Sequence, residues 1–168
     1  SSTSKELYMK IITNKTASLF SAASKISAIL SEEKDIIQKS LKIYGQKLGI
    51  AFQLVDDALD YAGTSALDKS IGDDFREGKM TLPVIISLEK SNPEEKSFWK
   101  KTIEDLEQSS GDLNKAIELI NKYHGISATL NLAKKYSIEA IKSLEIFPQS
   151  EAKLALESLA SIAVNRKK

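Results

Sequence analysis

The 168-residue sequence predicts an all-α fold, an antiparallel helical bundle, on three observations. Apolar residues recur at helical spacing through most of the chain. Alternating runs bounded by turn clusters, the signal of strands, are absent. Long stretches such as YGQKLGIAFQLVDDALDYAG, Tyr44 to Gly63, run without proline. An apolar content of 42% and a charged content of 28% are those of a soluble globular protein, and the length suffices for one domain with a real core. The net charge of +1 gives no general attraction to nucleic acid or to anionic membrane, so any anion must be met locally. With no cysteine and one histidine, disulfides, thiol chemistry and an ordinary zinc site are excluded, and a serine triad is disfavoured. The lack of strands disfavours a dinucleotide fold. The longest apolar run, Leu82 to Leu88, is broken by Ser87 and contains Pro83, so no transmembrane segment is expected, nor a signal peptide. No repeat or internal boundary is read, and residues 1–168 are expected to belong to one domain.

From Lys5 to Leu30 the residues Tyr8, Ile11, Ile12, Leu19, Phe20, Ala23, Ile26 and Leu30 have helical spacing. Lys15 and Thr16 fall on that stripe, where a lysine must either snorkel out or meet an anion. Ser31 is expected to cap a long helix ending near Tyr61 and antiparallel to the first, with Glu32 and Glu33 in its first turn. Between Gly63 and Met80 the periodicity fails, and the polar segment reads as a loop placed to fold over a ligand. Thr81 is expected to cap a short buried helix through Leu88 with Pro83 in its first turn. Ser91 to Glu95 reads as a turn, and Glu94 to Gln108 as a helix in which Trp99 and Phe98 pack. After the SSGD break, Asp112 is a candidate cap for a helix to His124, a histidine read as structural beside the stop residue Gly125. The helix Ile126 to Ile146 has Ala128, Leu132, Ala133, Tyr136, Ala140, Ile141 and Leu144 on its inner face and ends at Phe147-Pro148. The last helix, Ser150 to Asn165, is expected to turn Leu154, Leu156, Leu159, Ile162 and Ala163 inward. It finishes in a basic end that complements the helix dipole.

The chemistry is concentrated on the Tyr44 to Gly63 helix. At about 100° of rotation per residue, Gln53, Asp56, Asp57 and Asp60 fall within one arc of about 100°. Phe52, Leu54, Val55, Ala58, Leu59 and Tyr61 fill the rest. An ordinary surface helix carries a wide, mixed-charge face, whereas this stripe is narrow and purely acidic. Three acids that close repel one another and resist desolvation, so they call for cations. Carboxylates without histidine or cysteine suit Mg²⁺, which binds through one or two carboxylates plus substrate phosphates. The stripe therefore predicts a Mg²⁺-diphosphate site.

FQLVDDALDY, with its lead-in YGQKLGIAFQ, resembles the second aspartate-rich motif, FQxxDDxxD, of the trans-type polyprenyl diphosphate synthases, most like the bacterial long-chain, octaprenyl-type members. TNKTASLF is similar to that family's KTAxLF helix. The segment after the long helix resembles GKxxGxDxxxGKxTLP at Lys69, Gly72, Asp74, Gly78, Lys79, Thr81, Leu82 and Pro83, but has Asp68 where the pattern has glycine.

The resemblance implies the C-terminal half of an isoprenoid-synthase-type helical bundle. It implies a metal role for Asp56, Asp57 and Asp60, with Mg²⁺ as cofactor. Catalytic roles are implied for Lys15, Thr16, Gln53 and Lys69, and substrate binding for Phe52, Asp74, Lys79 and Arg166. Lys15 and Lys69 would contact the allylic diphosphate, Thr16 would help position the leaving group, Asp74 would orient Lys69 or hold metal-bound water, and Arg166 would reach the homoallylic diphosphate. The implied substrates are an allylic diphosphate and isopentenyl diphosphate. The resemblance further implies a homodimer, a cytoplasmic location or else the mitochondrial matrix, and a product held in the membrane. The family's earlier DDxxD motif and arginine pair have no match, so product length is unreadable. The start SSTSKELY lacks methionine; the sequence is expected to be part of a larger enzyme and inactive by itself. One rival is a non-catalytic partner subunit, which should have lost the aspartates and lysines first. Another is a terpene cyclase, against which GKMTLP argues.

Overall fold

The computed structural model describes residues 4–62 and 71–166, and among these every regular element is helical. The chain resolves into two compact units, each gathered from separated stretches. One joins the start of the chain to Tyr8 with Asp56–Leu130, and the other joins Met9–Val55 with Asn131–Lys167.

The Met9–Val55 unit is built on two helical runs. The first consists of α1 (Lys5–Ile12), a π-helical turn over Thr13–Ala17, and α2 (Ser18–Leu30). The second is α3 (Asp35–Leu59). The π turn corrects the inward stripe expected from strict helical spacing. Buried positions run Tyr8, Ile12, then Ala17, Ser21 and Ala28, so one extra residue is inserted after Ile12. Lys15, Leu19, Ala23, Ile26 and Leu30 are rotated outward and exposed. A π turn accommodates one residue more than an α turn, which shifts every later side chain around the axis. Hydroxyls at both ends of it bond back to carbonyls, Thr13 to Met9 at 2.7 Å and Ser18 to Asn14 at 2.6 Å.

The small residues on the corrected face let α2 and α3 approach backbone to backbone. A Cβ added at Gly49 would stand 2.7 Å from the Ala17 Cα, and Gly45 lies against Phe20 and Ser24. The Ser21 hydroxyl donates to the Lys42 carbonyl at 3.0 Å. Residue numbers rise on one helix as they fall on the other, so the pair is antiparallel, as expected. Ser31, however, ends α2: its N–H bonds back to Ser27, and Glu32 takes a left-handed φ of 53°.

The other face of α3 packs on α8 (Gly125–Ser143) and α9 (Glu151–Asn165) through Tyr44, Leu48, Ala140, Leu144, Ala160 and Ala163. Three hydroxyls stitch this layer to backbone carbonyls: Ser40 to Ser143, Tyr44 to Leu156 and Ser137 to Ala160. Ala133, Ala140 and Leu144 of the expected α8 face are buried, and Ala128, Leu132, Tyr136 and Ile141 are half-buried. On α9 the expectation fails for Leu154, Leu159 and Ile162, which are at least half exposed. The buried face there is Lys153, Ala160 and Ala163, with the Lys153 ammonium bonded to the Phe147 carbonyl at 2.9 Å. Close packing selects the small side chains and leaves the large ones outside.

The Asp56–Leu130 unit holds α4 (Asp73–Arg76), α5 (Leu82–Lys90), α6 (Pro93–Trp99) with a π turn over Lys100–Glu104, and α7 (Asp112–Lys122). Its core is Tyr61, Phe75, Val84, Phe98, Trp99, Ile103, Ala116, Leu119 and Ile120. The helix expected through Gln108 stops at Asp105, because Leu106 turns left-handed and the Gln108 amide instead bonds the Phe75 and Thr102 carbonyls. α4 lies within what the sequence reads as loop. Thr81 occupies the N-cap of α5, but its hydroxyl makes no capping bond. Gly111, not Asp112, caps α7, and the Asp112 carboxylate turns back to Ser109. At the end of α7 the left-handed residue is His124, with φ of 60°. Gly125 is required for a different reason: a Cβ there would meet the Pro83 carbonyl oxygen at 2.6 Å.

Candidate functional site

The acidic stripe lies at the end of α3, and the structure separates its three aspartates by environment. Asp56 is exposed, Asp57 is buried at 4%, and Asp60 sits half-buried in the turn that ends the helix. Asp57 Oδ2 accepts the Tyr8 hydroxyl at 2.5 Å. Asp60 accepts two backbone amides, Asp73 N–H at 3.2 Å on Oδ1 and Asp74 N–H at 3.1 Å on Oδ2, and so caps α4. Hydrogen-bond donors of the chain itself thus stabilise and orient carboxylates whose spacing alone calls for cations. Among the described residues no group of three acids or histidines is placed to hold a metal ion by itself. The donor set is nevertheless all hard oxygen, with Asp56 open to solvent, which fits an ion completed by substrate phosphates.

Downstream of α4, Lys79 donates to Asp74 Oδ1 at 3.0 Å and to Glu77 Oε2 at 2.7 Å. The bond to Glu77, then that to Asp74, holds the Lys79 ammonium well above the ordinary lysine range. Asp74 therefore orients Lys79 in this structure. Lys69, to which the sequence reading assigned that partnership, lies outside the described residues. The sequence pattern places Tyr8 on the apolar stripe. Burial first, and then the Asp57 charge, push its hydroxyl above the usual tyrosine range, so it stays a donor. A tyrosine on an otherwise apolar stripe is the available signal, since a buried phenol needs a polar partner.

The Met9–Val55 unit holds a second cluster. Thr16, half-buried on the π turn, donates its hydroxyl to Gln53 Oε1 on α3 at 2.7 Å. Lys15, next to it, is exposed. Phe52 packs its ring 5.6 Å from Phe20, and the Arg166 guanidinium lies 4.1 Å above the Phe52 ring. Arg166 also donates to the Phe52 carbonyl at 3.2 Å. A stacked guanidinium is held without losing its charge. The end of α9 is thereby fixed beside the turn of α3 that precedes Asp56.

This all-helical architecture is the isoprenoid synthase fold. The chain belongs to the polyprenyl synthetase family, whose model, described as Polyprenyl synthetase, matches residues 1–120. It is 38% identical to an octaprenyl diphosphate synthase of Haemophilus influenzae over 98% of this chain and 50% of that protein. Among solved structures, a decaprenyl diphosphate synthase from Rhodobacter capsulatus superposes with a TM-score of 0.94 at 40% identity, over 99% of this chain and 52% of the other. A polyprenyl synthase from Caulobacter crescentus, complexed with calcium and isoprenyl diphosphate, gives 0.91 at 44% identity over 98% and 51%. The chain spans about half the length of the relatives it matches.

Proposed function

We propose that the complete protein is a prenyltransferase that condenses isopentenyl diphosphate head-to-tail with an allylic diphosphate to make a polyprenyl diphosphate. The observation that carries this reading is the Thr16–Gln53 hydrogen bond, because it joins one residue from each of two separate motifs, KTASLF and FQLVDDALD. The relatives are polyprenyl diphosphate synthases, and the Caulobacter neighbour holds an isoprenyl diphosphate together with a divalent cation.

In the proposed reaction the C1–O bond of the allylic diphosphate breaks and its electron pair leaves with pyrophosphate. The double bond of isopentenyl diphosphate then forms the new C–C bond, and a proton from that unit passes to the departing pyrophosphate. Lys15 and Lys69 are assigned to the leaving group, and Arg166, preset on Phe52, to the homoallylic diphosphate. Thr16 and Gln53, joined by their hydrogen bond, are assigned to positioning the group that takes the proton. Mg²⁺, held by Asp56 with Asp57 and Asp60, would supply positive charge against the diphosphate. Catalysis of this kind is electrostatic and depends on closure to water. A homodimer, and a product residing in the membrane, belong to the same proposal. Among the described residues no helix is long and apolar enough to cross a membrane.

The test is pyrophosphate release by the complete protein from an allylic diphosphate plus isopentenyl diphosphate with Mg²⁺. Release that needs both substrates and stops on chelation is expected, and none under any metal would favour a non-catalytic subunit.

A further inference from the structure

Tyr8 lies outside every motif singled out above, two helical turns ahead of Lys15, yet it is the residue that meets the middle aspartate of the stripe. It is 4% exposed, and nothing about packing alone demands a hydroxyl there, since phenylalanine would fill the same space. Its hydroxyl donates to Asp57 Oδ2 at 2.5 Å.

We propose that Tyr8 is a positioning residue of the site, whose hydroxyl locks the Asp57 carboxylate in one orientation beside Asp56. This rests on the Mg²⁺-diphosphate reading. Two adjacent carboxylates left to themselves turn apart. A buried donor on one of them holds the pair preorganised for a cation, and such outer-shell partners are worth about 10–100-fold in metal affinity.

The experiment measures Mn²⁺ binding to the complete protein in the presence of inorganic pyrophosphate, following loss of the free-ion paramagnetic resonance signal, alongside the metal-free thermal midpoint. Tyr8→Phe is expected to weaken Mn²⁺ binding about tenfold. Because that variant leaves the buried Asp57 short of a donor and risks unfolding, the deciding pair is Asp57→Asn against Tyr8→Phe/Asp57→Asn, which carry no buried charge at position 57. If Tyr8 acts through Asp57, the double variant binds Mn²⁺ within about twofold of Asp57→Asn, the non-additivity expected of coupled neighbours. A further tenfold loss in the double variant, or wild-type affinity in a folded Tyr8→Phe, overturns the inference while leaving the metal site standing. Failure of the wild-type protein to bind Mn²⁺ with pyrophosphate overturns both.

Discussion

Glu95 and the aspartates of α3 are acids in the same unit, and their surroundings differ in kind. Glu95 is nearly buried and closes a capping box with Asn92, taking the Asn92 amide at 2.9 Å. Its oxygens also take the Lys122 ammonium at 2.6 Å and the Tyr123 hydroxyl at 2.6 Å. The lysine, then the tyrosine, then the amide pull its pKa down to about 2. Asp57 and Asp60 accept from a phenol and from two peptide amides, groups that orient a carboxylate. The lysine-bound Glu95 fastens α6 to the end of α7, whereas Asp57 and Asp60 gather backbone and phenol donors where α3 ends.

The two kinds of acid should differ most at Asp56. Asp56→Ala in the complete protein is expected to lower the rate of pyrophosphate release at least about a hundredfold, the scale seen when one preorganised electrostatic contact to a developing charge is removed. Its metal-free thermal midpoint should stay within a degree or two, as for most exposed substitutions. A large fall in midpoint with turnover preserved would make Asp56 another Glu95.

A smaller effect of the opposite pattern is expected at Glu95. Glu95→Gln removes the charge that fastens α6 to the end of α7, so the midpoint should drop by a few degrees while turnover well below that midpoint is unchanged. Loss of turnover without loss of stability would make Glu95 a site residue.

The smallest effect is on acid sensitivity. Because the folded pKa of Glu95 lies below its ordinary value of 4.5, the unfolded chain binds the proton more readily. The stabilisation is complete above about pH 4.5 and is lost as pH falls towards about 2. Between pH 5 and 2 the wild-type midpoint should therefore fall more steeply than that of Glu95→Gln. Parallel curves would show that the Lys122 contact contributes nothing in solution.

Much of this protein was determined by local sequence. The all-α class, the antiparallel pair α2 and α3, and the acidic stripe follow from periodicity and side-chain chemistry within a few turns of helix. Tertiary structure decided what depends on the group lying opposite. The close approach of α2 to Gly45 and Gly49 favours small residues on the inner face, and the π turn supplies the one-residue shift that puts Ala17 there and Lys15 outside. No hydropathy pattern carries that shift, because both registers are amphipathic. Tyr8 and Asp57 stand 49 positions apart, and Asp60 meets amides 13 and 14 residues away, so which aspartate is buried and which stays open is set by chain crossings. A carboxylate's spacing on its own helix is the same whether its partner is a lysine, a phenol or a metal ion, and only the folded chain chooses among them.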